Sequence, residues 1–116
     1  MKKEEAVVRL TEIIANFVGY TGKVLPDDVK AKLRELGAQE ETPLAKIIYE
    51  AMFKNQELAV SLDRPSCQDT GAIQFFLQCG SEFPYIAEME QILHDAVVTA
   101  TQAAPLRQNS VETFDE

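Results

Sequence analysis

The run Arg64-Pro65-Ser66-Cys67-Gln68-Asp69-Thr70-Gly71 gathers a thiol, a carboxamide, a carboxylate, a hydroxyl and a glycine into five consecutive positions. A thiol in a polar loop of this kind can be exposed and partly ionised, the form in which sulfur ligates a metal or attacks an electrophile. Gly71 allows close approach of the backbone to a ligand. Each residue type also has a plainer use. Cysteine is often a small buried hydrophobe, and Asp69-Thr70-Gly71 reads equally well as a turn leading into the next element. The residue types alone leave both readings open.

A second polar segment, Pro105-Leu106-Arg107-Gln108-Asn109-Ser110, follows a stretch that reads as helix and is stopped by Pro105. Arg107 therefore sits in a loop, where its guanidinium fork can grip a carboxylate through two parallel hydrogen bonds. The plainer alternative is a surface ion pair. His94, the only histidine, stands mid-helix beside an apolar stripe and reads as a partly buried helix residue rather than a base. No second cysteine stands at zinc-ligand spacing from Cys67, and Cys79 falls in an apolar run, so a complete metal site inside these residues is not expected.

The elements that must present these two segments are mostly helical. Ala6, Val7, Leu10, Ile13, Ile14, Phe17 and Val18 recur at steps of three and four, which predicts a helix from Glu4 to Val18 that ends at Gly19 and Gly22. Leu25-Pro26-Asp27-Asp28 opens a second, short helix, with two aspartates at its positive end and Gly37 closing it. Thr42 as cap and Pro43 at the first position start a third helix. Leu44, Ile47, Ile48, Ala51, Met52, Leu58, Ala59 and Leu62 give it one broad apolar face, and it ends near Asp63 because Pro65 lies two residues on. Pro84 marks the start of a fourth helix whose stripe is Met89, Ile92, Leu93, Ala96, Val97 and Ala100. Between them, Ala72-Ile73-Gln74-Phe75-Phe76-Leu77-Gln78-Cys79, bounded by Gly71 and Gly80, reads as a strand buried on much of both faces. The expected fold class is α+β, predominantly helical, with three long helices, one short helix and at least one buried strand. No second convincing strand is present, so either it pairs with a weaker segment or its sheet lies outside this chain.

Composition narrows the class of partner. The chain has 116 residues, 46% hydrophobic and 26% charged, which suits one globular domain with a real core. Its formal net charge of −8 argues against nucleic-acid and acidic membrane surfaces, both of which call for a basic face. No apolar run approaches the length of a membrane span. Two cysteines without a secretory signal point to a reducing, cytoplasmic compartment and away from a Cys67–Cys79 disulfide.

Taken together, Arg-Pro-Ser-Cys-Gln-Asp-Thr-Gly at 64–71 and Ala-Pro-Leu-Arg-Gln-Asn-Ser-Val at 104–111 resemble the iron–sulfur-dependent hydro-lyases, the class I fumarases and two-subunit L(+)-tartrate dehydratases. Lys46-Ile47-Ile48-Tyr49 and the run from Ile73 through Ser81 look similar as well. The resemblance covers essentially the whole chain and is strongest to the opening part of the alpha subunit. It implies a [4Fe–4S] cluster held by three cysteines with one iron open to substrate. Cys67 matches the first of those ligands, Cys79 matches neither of the others, and the chain would be an N-terminal segment that is inactive alone. By the same resemblance Gln68 and Asp69 line the substrate site, Asp69 takes part in catalysis, and Arg107 holds a substrate carboxylate. Gln108 departs from the histidine of many relatives and is left out of the site. The implied reaction is reversible dehydration of a 2-hydroxy dicarboxylate, L-tartrate or malate, with a beta subunit or C-terminal domain as partner and an oligomeric assembly. Two other readings compete: a non-catalytic helical interaction domain whose polar loop is only a turn, and a redox switch at Cys67.

Overall fold

A computed structural model describes residues 2–67 and 72–103, which fold into four helices: α1 (Lys3–Lys23), α2 (Asp27–Gln39), α3 (Pro43–Leu62) and α4 (Met89–Ala103). The three long helices and the short one are those expected from the apolar periodicity. The expected α+β class is not: among the described residues there is no strand. The run from Ala72 to Gly80 is irregular, and its apolar residues part company. Phe75 packs against the core, while Phe76 is 92% exposed. A strand is stable only when its N–H and C=O groups find a neighbouring strand. No other described segment offers one, so composition rich in aromatic and branched residues is not enough.

The core is the seam between α1 and α4, which run side by side in the same direction. Ala15 and Val18 of α1 meet Ala96 and Ala100 of α4, with Ile14 and Phe75 packed at the margin. Ile92 is also fully buried on α4. Alanines on both sides let the two helix axes come close, since interaxial distance follows side-chain size at the contact. At the other end of the seam the Lys3 ammonium pairs with the Glu88 carboxylate. This pairing holds the Glu88 carboxyl below its ordinary range, chiefly through the Lys3 hydrogen bond, and raises Lys3.

Several boundaries differ from the sequence reading. α1 continues through Gly19 and Gly22 to Lys23, and its buried face is turned toward Ala15 and Val18, leaving Ile13 and Phe17 exposed. A glycine inside a helix costs only about 1 kcal/mol, which packing against α4 offsets. Gly37 likewise lies within α2 rather than after it, and its reason is steric: a Cβ there would sit 3.3 Å from the Tyr49 ring of α3. Pro84 opens a run of tight turns, with Phe83, Ile86 and Glu88 donating to the carbonyls of Gly80, Phe83 and Tyr85, and α4 begins only at Met89. His94 is exposed on α4 beside Asp95, not partly buried.

α2 and α3 form an antiparallel hairpin that leans only lightly on α1. Thr42 caps α3 as expected, its carbonyl accepting from Lys46 N–H, but its hydroxyl makes no capping bond. The Glu40 carboxylate instead accepts from the Glu41 and Thr42 amides at 3.1 and 3.2 Å, and these bonds, Thr42 first, lower its pKa. The broad apolar face expected to bury α3 is mostly solvated. Ala59 is its one buried residue, while Leu44, Ile47 and Ile48 are 67%, 61% and 53% exposed.

Candidate functional site

The approach to Cys67 is built from the end of α3. Asp63 adopts the left-handed conformation (φ 53°, ψ 54°), tolerated by aspartate better than by most residues. Its amide donates to the Val60 carbonyl and the Arg64 amide to the Ala59 carbonyl, the paired bonds of a Schellman ending. The helix is thereby closed off and the chain is turned back toward α1, where Pro65 keeps it extended.

Ser66 is then pinned from two sides. Its amide donates to the Gly22 carbonyl at 2.9 Å, and its hydroxyl reaches the same oxygen at 3.3 Å. Gly22 is in the last turn of α1, where carbonyls have no partner within the helix, so Ser66 fills a vacancy that helix geometry creates. From the opposite side the Asn55 side chain of α3 donates to the Ser66 carbonyl at 2.6 Å. A salt bridge reinforces the junction: Lys23 Nζ lies 2.5 Å from Asp63 Oδ1. The Lys23 hydrogen bond, then its charge, holds the Asp63 carboxyl below its ordinary range. Cys67, the next residue, emerges exposed from this fastened base and forms no disulfide with Cys79, itself exposed.

The remaining site residues expected from the sequence, Gln68, Asp69 and Arg107, lie outside the described residues. What the fold does establish is where their segments set out from. Asp63 and Arg64, which lead into the Cys67 run, share a cavity of about 310 Å³ with Thr99, Ala100 and Ala103 of α4, the turns that lead toward Pro105. Asn16, Tyr20 and Lys23 of α1 complete it. Two segments some forty positions apart in sequence thus leave from the same end of the bundle. This end carries the negative, carbonyl termini of α1, α3 and α4, and Lys23 and Arg64 are the cations placed to offset them.

Sequence reasoning did not single out Asn55, Lys23 or the Gly22 carbonyl. Asn55 alone left a signal. It is a polar residue within the stripe Leu44, Ile48, Ala51, Leu58 and Leu62, where steps of three and four call for an apolar side chain. Among the described residues no group of three histidine, cysteine or carboxylate side chains converges in a way that would hold a metal ion, and no helix is long and apolar enough to cross a membrane.

Comparison with known proteins places this arrangement in a family. Residues 11–116 match the family model described as fumarate hydratase (Fumerase), a match that spans both the Cys67 run and Arg107. The L(+)-tartrate dehydratase subunit alpha of Escherichia coli (strain K12) is 51% identical over 114 residues, covering 98% of this chain and 38% of that protein. The subunit of the same name in Shigella sonnei (strain Ss046) is equally similar. A putative L(+)-tartrate dehydratase subunit alpha from Methanocaldococcus jannaschii is 28% identical over 106 residues, covering 90% of this chain and 37% of that protein. The chain spans less than two fifths of the length of these relatives, yet nearly all of it is matched: it belongs to the fumarate hydratase (Fumerase) family.

Proposed function

We propose that the chain is part of the alpha subunit of an iron–sulfur hydro-lyase that reversibly dehydrates a 2-hydroxy dicarboxylate, L-tartrate to oxaloacetate or malate to fumarate. The observation that carries this reading is the 51% identity to an L(+)-tartrate dehydratase alpha subunit across 98% of the chain. The chemistry of the donors agrees with it. An exposed thiol on a fastened loop is a fit partner for one corner of a [4Fe–4S] cluster, and the described residues provide no complete set of ligands by themselves. Two further cysteines come from outside this sequence, together with a beta subunit or further domain that completes the enzyme.

When bound, the cluster supplies an open iron that acts as a Lewis acid on the hydroxyl to be expelled. The chain's own residues do the rest of their work around it. The Cys67 thiolate would hold one iron, and the fastened Ser66 limits where that sulfur can stand. Gln68 offers amide hydrogen bonds to substrate oxygens. Asp69 is placed next to them in sequence and handles the proton exchanged at the substrate carbon, and Arg107 grips a carboxylate with its two parallel N–H donors.

Arg107 gives the test. In the complete protein with its partner subunit, Arg107→Ala removes a charged hydrogen-bonding pair, a loss of roughly 1.5–3 kcal/mol or about 10- to 150-fold in kcat/KM for the dicarboxylate. Unchanged kinetics would remove Arg107 from the site. One observation favours a second reading, a non-catalytic helical interaction domain: large apolar side chains on α1 and α3 are exposed. On that reading Cys67→Ser and Arg107→Ala both leave every activity of the assembled protein unaltered.

A further inference from the structure

We infer that the apolar face of α3 is the seat of the remainder of the same polypeptide, the part that brings the other cluster ligands to Cys67. This inference rests on the function proposed above. Leu44, Ile48, Leu58 and Leu62 follow one another at helical spacing on a single face of a 20-residue helix, and all four are exposed. Contiguous apolar faces of this extent are rarely left to water in a soluble domain and mark a surface that another element covers.

Two observations point to the occupant. Asn55 lies within this stripe and holds the carbonyl of Ser66, so the face runs directly into the base of the Cys67 loop. Ligands that share one cluster with Cys67 must approach its sulfur to within a few ångströms, so whatever carries them comes to the end of α3 that holds Ser66. The chain covers only 38% of its E. coli relative, so a polypeptide of that length has ample further residues to supply that surface.

Photo-crosslinking in the complete protein tests this. p-Benzoylphenylalanine is introduced in place of Ile48 and, as a control on the opposite side of α3, in place of Glu50, and peptide mapping follows irradiation. Crosslinks from position 48 to peptides of the same polypeptide outside these 116 residues, in several-fold higher yield than from position 50, are expected. Crosslinks to a second copy or to another subunit, or no excess over position 50, overturn the inference. Iron content of Cys67→Ser in the same protein separates the two claims. A cluster retained without Cys67 defeats the functional reading while leaving an intramolecular crosslink standing. A cluster lost with Cys67, beside crosslinks to another copy, defeats only the seat on α3.

Discussion

Replacing Asn55 with alanine isolates the fastening of the Cys67 loop from the stability of the helices. The Asn55 amide donates to the Ser66 carbonyl at 2.6 Å, opposite the bonds from Ser66 to Gly22 at 2.9 and 3.3 Å. A hydrogen bond of this kind contributes about 1 kcal/mol net, which corresponds to a roughly fivefold change in a local opening equilibrium. The same substitution improves helix propensity in the middle of α3 by about 0.6 kcal/mol. The two effects act on different parts of the molecule. Global unfolding therefore changes by less than about 0.5 kcal/mol, while the loop opens several times more often. Amide hydrogen exchange at Ser66 reads the second effect directly, because that N–H is protected by Gly22. Exchange about fivefold faster at Ser66, with the amides of α1 and α4 unchanged, is the expected pattern. Unaltered exchange at Ser66 would show that Asn55 does not hold the loop. A fall of many degrees in Tm would show that it supports the whole fold instead.

Ile92 of α4 is 1% exposed, so Ile92→Ala should cost about 2–5 kcal/mol, measured as a shift in the denaturant midpoint with an unchanged slope, whereas the same change at exposed Ile47 should cost far less. The Lys3–Glu88 pair gives a pH dependence whose sign follows from the depressed Glu88 carboxyl. Its contribution is present above the ordinary carboxylate range and fades as pH falls through the lowered folded value, so the Tm gap between wild type and Glu88→Gln should close in acid. A gap that stays constant as pH is lowered through the acid range would mean that the substitution harms packing rather than charge pairing.

How much of this was legible beforehand differs from element to element. The cap and stop of α3 were readable because Thr42-Pro43 and Asp63 before Arg64-Pro65 act through neighbouring residues alone. The extension of α1 through Gly19 and Gly22 was not, because what overrides glycine's cost is contact with α4, some eighty positions away in sequence. Nor was the crowding at Gly37 legible, because the Tyr49 ring that a Cβ there would meet at 3.3 Å belongs to the next helix. Ile73–Cys79 failed as a strand for a related reason: its composition favours pleated backbone, but strand formation needs a partner that local sequence cannot supply. At the site, Cys67 was conspicuous by type and setting. Its supports were not, since Gly22 contributes only a backbone carbonyl and Lys23 joins Asp63 across forty positions.

The central claim is that Cys67 ligates a cluster, and iron analysis of the complete protein tests it most directly. After anaerobic reconstitution, wild type is expected to hold about four irons and four sulfides per polypeptide, with the broad visible absorbance of a [4Fe–4S] centre. Cys67→Ser, folded to the same helical content, is expected to lose most of that iron and absorbance. Full cluster occupancy in Cys67→Ser would contradict the account.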